Sequence, residues 1–239
     1  AGQLPLPFAH ADLADVAGWR AQLDAAERLA RAGAIAPAQW QLIATSRVPS
    51  ASGGVWDRID ALQEFDVALL AQDPTAVADT LPPAWAAMQE AHLEVPFAEL
   101  YSQRLMRLPL TGDPAMLARR VALLSGEYES VAQMAVPQSP GERFLFAIAR
   151  GQSAPPAPAG ALPRLIAGAF SSTEIPDRYA RMVSEERIGE ALLRAALVLG
   201  DGSGDFDDMQ DALALFRALG LESVARRTAL ELLILERRG

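Results

Sequence analysis

Apolar residues recur every three to four positions along most of the chain, the spacing of helices that bury one face. Trp19, Leu23, Ala26 and Ala30 mark a first helix within residues 12–32, and Gly33 supplies its stop. A second, short helix opens at Pro37, where a first-turn proline belongs, with Trp40 and Ile43 facing inward. The stripe Val55, Ile59, Leu62 and Leu69 carries a third to about residue 71. Later stripes read Leu100, Leu105 and Met106; Ile188, Leu192, Ala195 and Leu199; Met209, Leu213 and Phe216; and Ala225, Ala229, Leu232 and Leu233. No alternating pattern of useful length appears, so a sheet is not expected.

The punctuation between these stripes is regular. Asp73-Pro74 and Asp113-Pro114 each place a capping carboxylate before a first-turn proline, and Ser139-Pro140-Gly141-Glu142 has the Ser-x-x-Glu form of a capping box. Pro82-Pro83 should end one helix and start another, and Val95-Pro96 the next. Arg237-Arg238 would favour the end of a last helix within residues 222–238. Residues 152–160 form a Pro/Ala-rich segment that reads as an extended surface connector. The expected organisation is an N-terminal helical-hairpin group over residues 1–150, a connector over 151–161, and a C-terminal helical group over 162–239.

Short helices and short connectors favour antiparallel neighbours, so the expected fold is all-α, with stacked helical hairpins in an irregular α-solenoid. Residues 84–94 and 212–222 can be overlaid: each is a helix, a short turn at Leu93-Glu94 or Leu221-Glu222, then another apolar helix. Leu123-Leu124-Ser125-Gly126-Glu127-Tyr128-Glu129-Ser130-Val131-Ala132 resembles the helix-turn-helix joint of tetratricopeptide-like repeats. No regular 34-residue period surrounds it. What the resemblance implies is a superhelix that presents a face to a partner peptide.

Composition sharpens the class. Alanine supplies 47 residues, and lysine, asparagine and cysteine are absent, so every basic side chain besides histidine is arginine. Without cysteine there is no disulfide, thiolate nucleophile or cysteine-bound metal. A net charge of −9 argues against a phosphate-backbone binder, and nucleic acid is not an expected partner. The most apolar stretches, residues 191–199 and 229–235, fall short of the roughly 20 residues a membrane span needs. The start at Ala1-Gly2-Gln3 suits a processed, bacterial, periplasmic or secreted protein, with a cytoplasmic one as the alternative.

Candidate chemistry is sparse. His10 and His92 are the only histidines; neither has a second His at helical spacing, and no G-x-S-x-G nucleophile motif occurs. Residues 200–208 offer oxygen ligands at Ser203 and Asp205, but Phe206 and Ala212 stand where a calcium loop needs Gly and Glu. Glu129-Ser130 is similar to the Glu-Ser pair of lytic transglycosylases, without the downstream segment that accompanies it, and the activity is not carried over. The stretch VPSASGGVWDRIDAL, residues 48–62, lacks the lysine and spacing of a phosphate loop. It reads as a helix–helix corner in which Ser52 caps, Gly53-Gly54 turn, and Trp56 folds back onto the second helix.

The expectation is therefore a non-enzymatic scaffold or interaction module meeting a protein or peptide partner. No cofactor, metal or catalytic residue is assigned, and any small-molecule ligand is left open. Trp56, Arg58, Trp85 and Arg104 are its candidate contact residues. The alternative is a hydrolase of cell-envelope material, or its helical accessory domain, with residues that converge only in three dimensions.

Overall fold

A computed structural model describes residues 6–14, 18–152, 156–201 and 205–235 of the chain. Among these residues there are fourteen helices and no strand, and the protein is all-helical. The chain divides into two compact units, Ala1–Glu127 and Tyr128–Gly239. The Pro/Ala-rich stretch thus lies inside the second unit, and its residues 153–155 fall outside the described ones.

The first unit holds α1 (Leu6–Asp12), α2 (Trp19–Arg31), α3 (Pro37–Ala44), α4 (Val55–Leu70), α5 (Pro74–Ala91), α6 (Glu94–Leu105) and α7 (Gly112–Ala122). Neighbours in sequence pair, most extensively α4 with α5 and α6 with α7, while α2 and α3 also pack on α6. The core is built from the expected stripes: Leu23, Leu29, Trp40, Ile59, Leu62 and Leu69 are fully buried. Phe65, Phe97 and Tyr101 meet with ring centroids 4.8–5.1 Å apart. Such pairs add about 0.5–1.5 kcal/mol beyond the area they bury.

The second unit holds α8 (Tyr128–Met134), α9 (Pro140–Ala149), α10 (Ala161–Ala169), α11 (Asp177–Ser184), α12 (Ile188–Asp201), α13 (Phe206–Ala218) and α14 (Glu222–Leu235). Here α9 packs on α14, and α10 on both α13 and α14, besides the sequential pairs α8–α9, α11–α12, α12–α13 and α13–α14. Phe144, Phe146, Ile148, Ile166, Tyr179 and Leu213 anchor the core. Arg237 and Arg238 lie outside the described residues.

Several local expectations need correction. Pro82 and Pro83 do not break α5, which runs through them; both are exposed, so the carbonyls of Ala78 and Asp79 that lose a helical N–H lie on the solvent side. Asp113 is not the cap of α7; Thr111 precedes the helix and Asp113 sits in its first turn. Ser52 is not the cap of α4 either, because Asp57 reaches back and accepts from the Gly53 N–H at 2.8 Å. In α12 the expected Ala195 and Leu199 are buried, but Ile188 is 42% exposed and Ala191 is buried in its place. Asp73 does cap α5, accepting from the Thr75 and Ala76 N–H groups. Ser139 caps α9, while Glu142 reaches the N–H of Gln138 at 2.6 Å, one residue before the cap.

The overlay of residues 84–94 on 212–222 extends to the backbone. His92 and Gly220 have φ of 55° and 78°, and each is followed by the same hydrogen bonds: Leu93 N–H to Met88 and Leu221 N–H to Phe216. The next helices also start alike, with Phe97 N–H bonded to Leu93 and Ala225 N–H to Leu221. Gln72 and Glu186 adopt the same left-handed turn before α5 and α12. The 6→1 bond satisfies a carbonyl that the helix end would otherwise leave open.

Candidate functional site

Several charged side chains near the helix ends have a task that can be read from their partners. Arginines cap the C-termini of neighbouring helices. Arg31 Nε donates to the carbonyl of Ala91, the last residue of α5, at 2.9 Å, and Arg226 Nη1 to Ala149, the last of α9, at 3.1 Å. Arg217 Nη1 donates to Ala169, the last of α10, at 3.0 Å and to Ser172 at 3.1 Å. Arg150 forks onto Ala132, with Nε at 2.7 Å and Nη2 also bonded, and reaches Ala135 just beyond α8. Terminal carbonyls carry the negative end of the helix dipole, so a guanidinium there is doubly favoured.

Two further polar groups are closed inside the first unit. Arg58 holds the buried Glu27 through two bonds of 2.8 and 2.7 Å. Burial opposes the Arg58 charge, but the hydrogen bond and charge of Glu27, with Asp24 and Glu90 behind them, hold its pKa above the ordinary value. Gln41 Nε2 donates to Asp66 at 2.9 Å and to the Tyr101 hydroxyl at 3.1 Å. Burial raises the Tyr101 pKa, and the charge of Asp66 and the Tyr101–Asp66 hydrogen bond raise it further. Arg104 lies 3.7 Å from Asp66 and over the Tyr101 ring.

The four residues expected to meet a partner therefore separate. Trp85 is buried against Phe97, 6.1 Å between centroids. Arg58 and Arg104 are half-buried and bound to carboxylates. Trp56 is half-buried and packs tilted against Trp19, 5.2 Å between centroids; it folds back onto α2, whereas the sequence pointed to α3, and Trp19 in turn donates to the Ile43 carbonyl of α3. His92 is exposed at the end of α5 and His10 exposed on α1. Glu129 faces Arg226 at 3.6 Å, and Asp208 and Asp211 both pair with Arg178. Residues 202–204 of the acidic loop lie outside the described ones, among which no group of three or more His, Asp or Glu could hold a metal ion.

No protein-family model, curated protein or solved structure matches the chain.

The surface that sequence reading missed is the outer face of α4. Positions 56, 60, 64, 67 and 70 follow one another at three- and four-residue steps, opposite the buried stripe of Ile59, Leu62, Phe65 and Leu69. Trp56 stands at its N-terminal end, Asp60 and Glu64 are exposed in the middle, and Val67 and Leu70 are 66% and 64% exposed at its C-terminal end. Gln63 pins this side of α4 to the preceding corner by donating to the Ala44 and Arg47 carbonyls, each at 2.7 Å. The signal was present as a second apolar spacing, 67 and 70, out of phase with the first. α12 repeats the theme with Leu193 and Leu197, 61% and 57% exposed.

Proposed function

We propose that the chain is a helical interaction or assembly module, an irregular stack of helical hairpins that meets a protein or peptide partner through the outer face of α4. The observation that supports this reading is the pair Val67 and Leu70, one turn apart and about two-thirds exposed on a helix whose opposite face already fills a core. An exposed apolar pair set beside acids, on a helix whose other face already fills a core, is a surface suited to a partner. No described helix is long and apolar enough to cross a membrane. Arg31, Glu27, Arg58, Gln41 and Asp66 of the same unit are engaged in a helix cap and buried pairs, which hold the helices that present this face.

The test is affinity capture from an extract of the source organism, using the intact chain and its Val67→Ser/Leu70→Ser variant as parallel baits. Loss of two aliphatic side chains that a partner would cover should lower its recovery about tenfold or more. Equal recovery by both baits, or no reproducible partner for either, overturns the assignment to this face. Circular dichroism of the variant should match the parent, since both positions are exposed.

A further inference from the structure

We propose that the occupant of the α4 face is a cationic amphipathic helix of a partner protein, one that sets two aliphatic anchors on Val67 and Leu70 and lays Arg or Lys along Asp57, Asp60 and Glu64. The proposal rests on the interaction-module reading and adds the chemistry of the partner.

Charge is the first argument. Asp57, Asp60 and Glu64 are all exposed, at spacings of three and four, so their carboxylates line one edge of the face that ends in Val67 and Leu70. Asp57 sits in the first turn and accepts a backbone N–H, where the helix dipole favours an acid. Asp60 and Glu64 have no such excuse. They lie beyond the first turn, one helical step from each other, and among the described residues neither takes an ion pair. Like charges at that spacing destabilise a helix. Arg58 cannot neutralise them, because it points to Glu27 on the core side. Arg47, exposed in the loop whose carbonyl receives Gln63, adds one positive charge beside three carboxylates and leaves the face negative.

Shape is the second. From Asp57 to Leu70 the face runs about 20 Å at the α-helical rise, the length of a three- to four-turn helix. Aliphatic anchors at the C-terminal end and acids from the first turn to the middle impose a polarity on whatever lies there. A helix with anchors at i and i+3 or i+4, and basic residues one to two turns away, matches both halves at once. Opposed charge also steers such a segment into register.

A displayed library tests this directly. Sixteen-residue peptides carry Leu at i, i+3, i+4 and i+7 and free choice of Arg, Lys, Glu, Asp or Gln elsewhere, and are selected on the intact chain. The expected result is enrichment of Arg and Lys at positions flanking the anchors. A selected peptide should lose about two- to tenfold in affinity on Asp60→Asn/Glu64→Gln and about tenfold or more on Val67→Ser/Leu70→Ser. The charge-neutralised variant should at the same time melt at the same or a higher temperature than the parent, since it removes a repulsion. Neutral or acidic winners, no enrichment, or winners indifferent to both variants overturn the proposal. So does self-association in sedimentation that Val67→Ser/Leu70→Ser abolishes, which would assign the face to a second copy. If the library fails while captured partners still depend on Val67 and Leu70, only the cationic class falls; if both fail, the module reading falls with it.

Discussion

Arg150 forks onto the carbonyl of Ala132 from a distance of eighteen residues in sequence, and Arg226 reaches Ala149 from seventy-seven. Lysine cannot take that place on equal terms, because it offers a strongly hydrated point charge where arginine offers a planar set of donors. Arg150→Lys and Arg217→Lys should each cost about 1–3 kcal/mol in urea unfolding, and changes within experimental error would show that these caps are ornamental. Tyr101 gives a second test. Its folded pKa is raised, so its contribution to stability is complete below the ordinary tyrosine value of about 10 and is lost as pH rises through the folded one. Unfolding free energy should therefore fall on the alkaline side, and Tyr101→Phe should flatten that fall while lowering stability at neutral pH, where Gln41 and Asp66 lose a partner. Burial raises the Tyr179 pKa too, so a residual alkaline slope is expected. None of these pairings was visible in sequence, since each joins residues that only the packing of helices brings together.

Turns between helices were partly readable. Gly33 announced itself as a stop, because glycine is the default residue for a left-handed position, and Gly220 takes the same conformation. Gln72, His92 and Glu186 occupy the same conformation with side chains that pay for it in steric strain. Replacing Gln72 or His92 by Gly should stabilise the protein by about 0.5–1 kcal/mol, measured as a rise in melting temperature; a fall would mean that their side chains hold contacts worth more than the strain. The joints at residues 92–93 and 220–221 were legible as a paired pattern of Leu followed by Glu, yet Gln72 and Glu186 were not, lacking any residue that signals positive φ. Helices were legible wherever one apolar face dominated. They were misread where a strong local signal was overruled, as with Pro82-Pro83, whose lost bonds fall on the solvent side of a helix held by Leu81, Ala84 and Trp85 within the core. The outer face of α4 went unseen for a related reason: Val67 and Leu70 look like more core until the burial of Leu69 and Phe65 shows which side is taken.

Over the whole molecule the charge balance is acidic, and its response to pH has two opposed parts. Hydrogen bonds from Arg181 and Arg187 hold the Glu185 carboxyl below its ordinary range, and the bond from Arg187 does the same for Glu190. Their stabilisation is present above the ordinary carboxylate pKa and lost as pH falls through the depressed one. Asp211 runs the other way: burial raises its pKa against the pull of Arg178, so protonation relieves a cost there. Arg187→Gln should make the melting temperature less sensitive to acid below about pH 5, and an unchanged slope would remove these pairs from the account. Circular dichroism should be dominated by helix. The all-helical class was legible from alanine content and apolar spacing. The division of labour among arginines has one last consequence. With no lysine in the chain, trypsin can cut only after arginine. Arg31, Arg58, Arg150, Arg217 and Arg226 are held by carbonyls or Glu27, while Arg47 and Arg107 stand exposed in loops. Brief digestion of the native protein should therefore nick first after residues 47 and 107, and the caps should yield their peptides only once the helices they close have come apart.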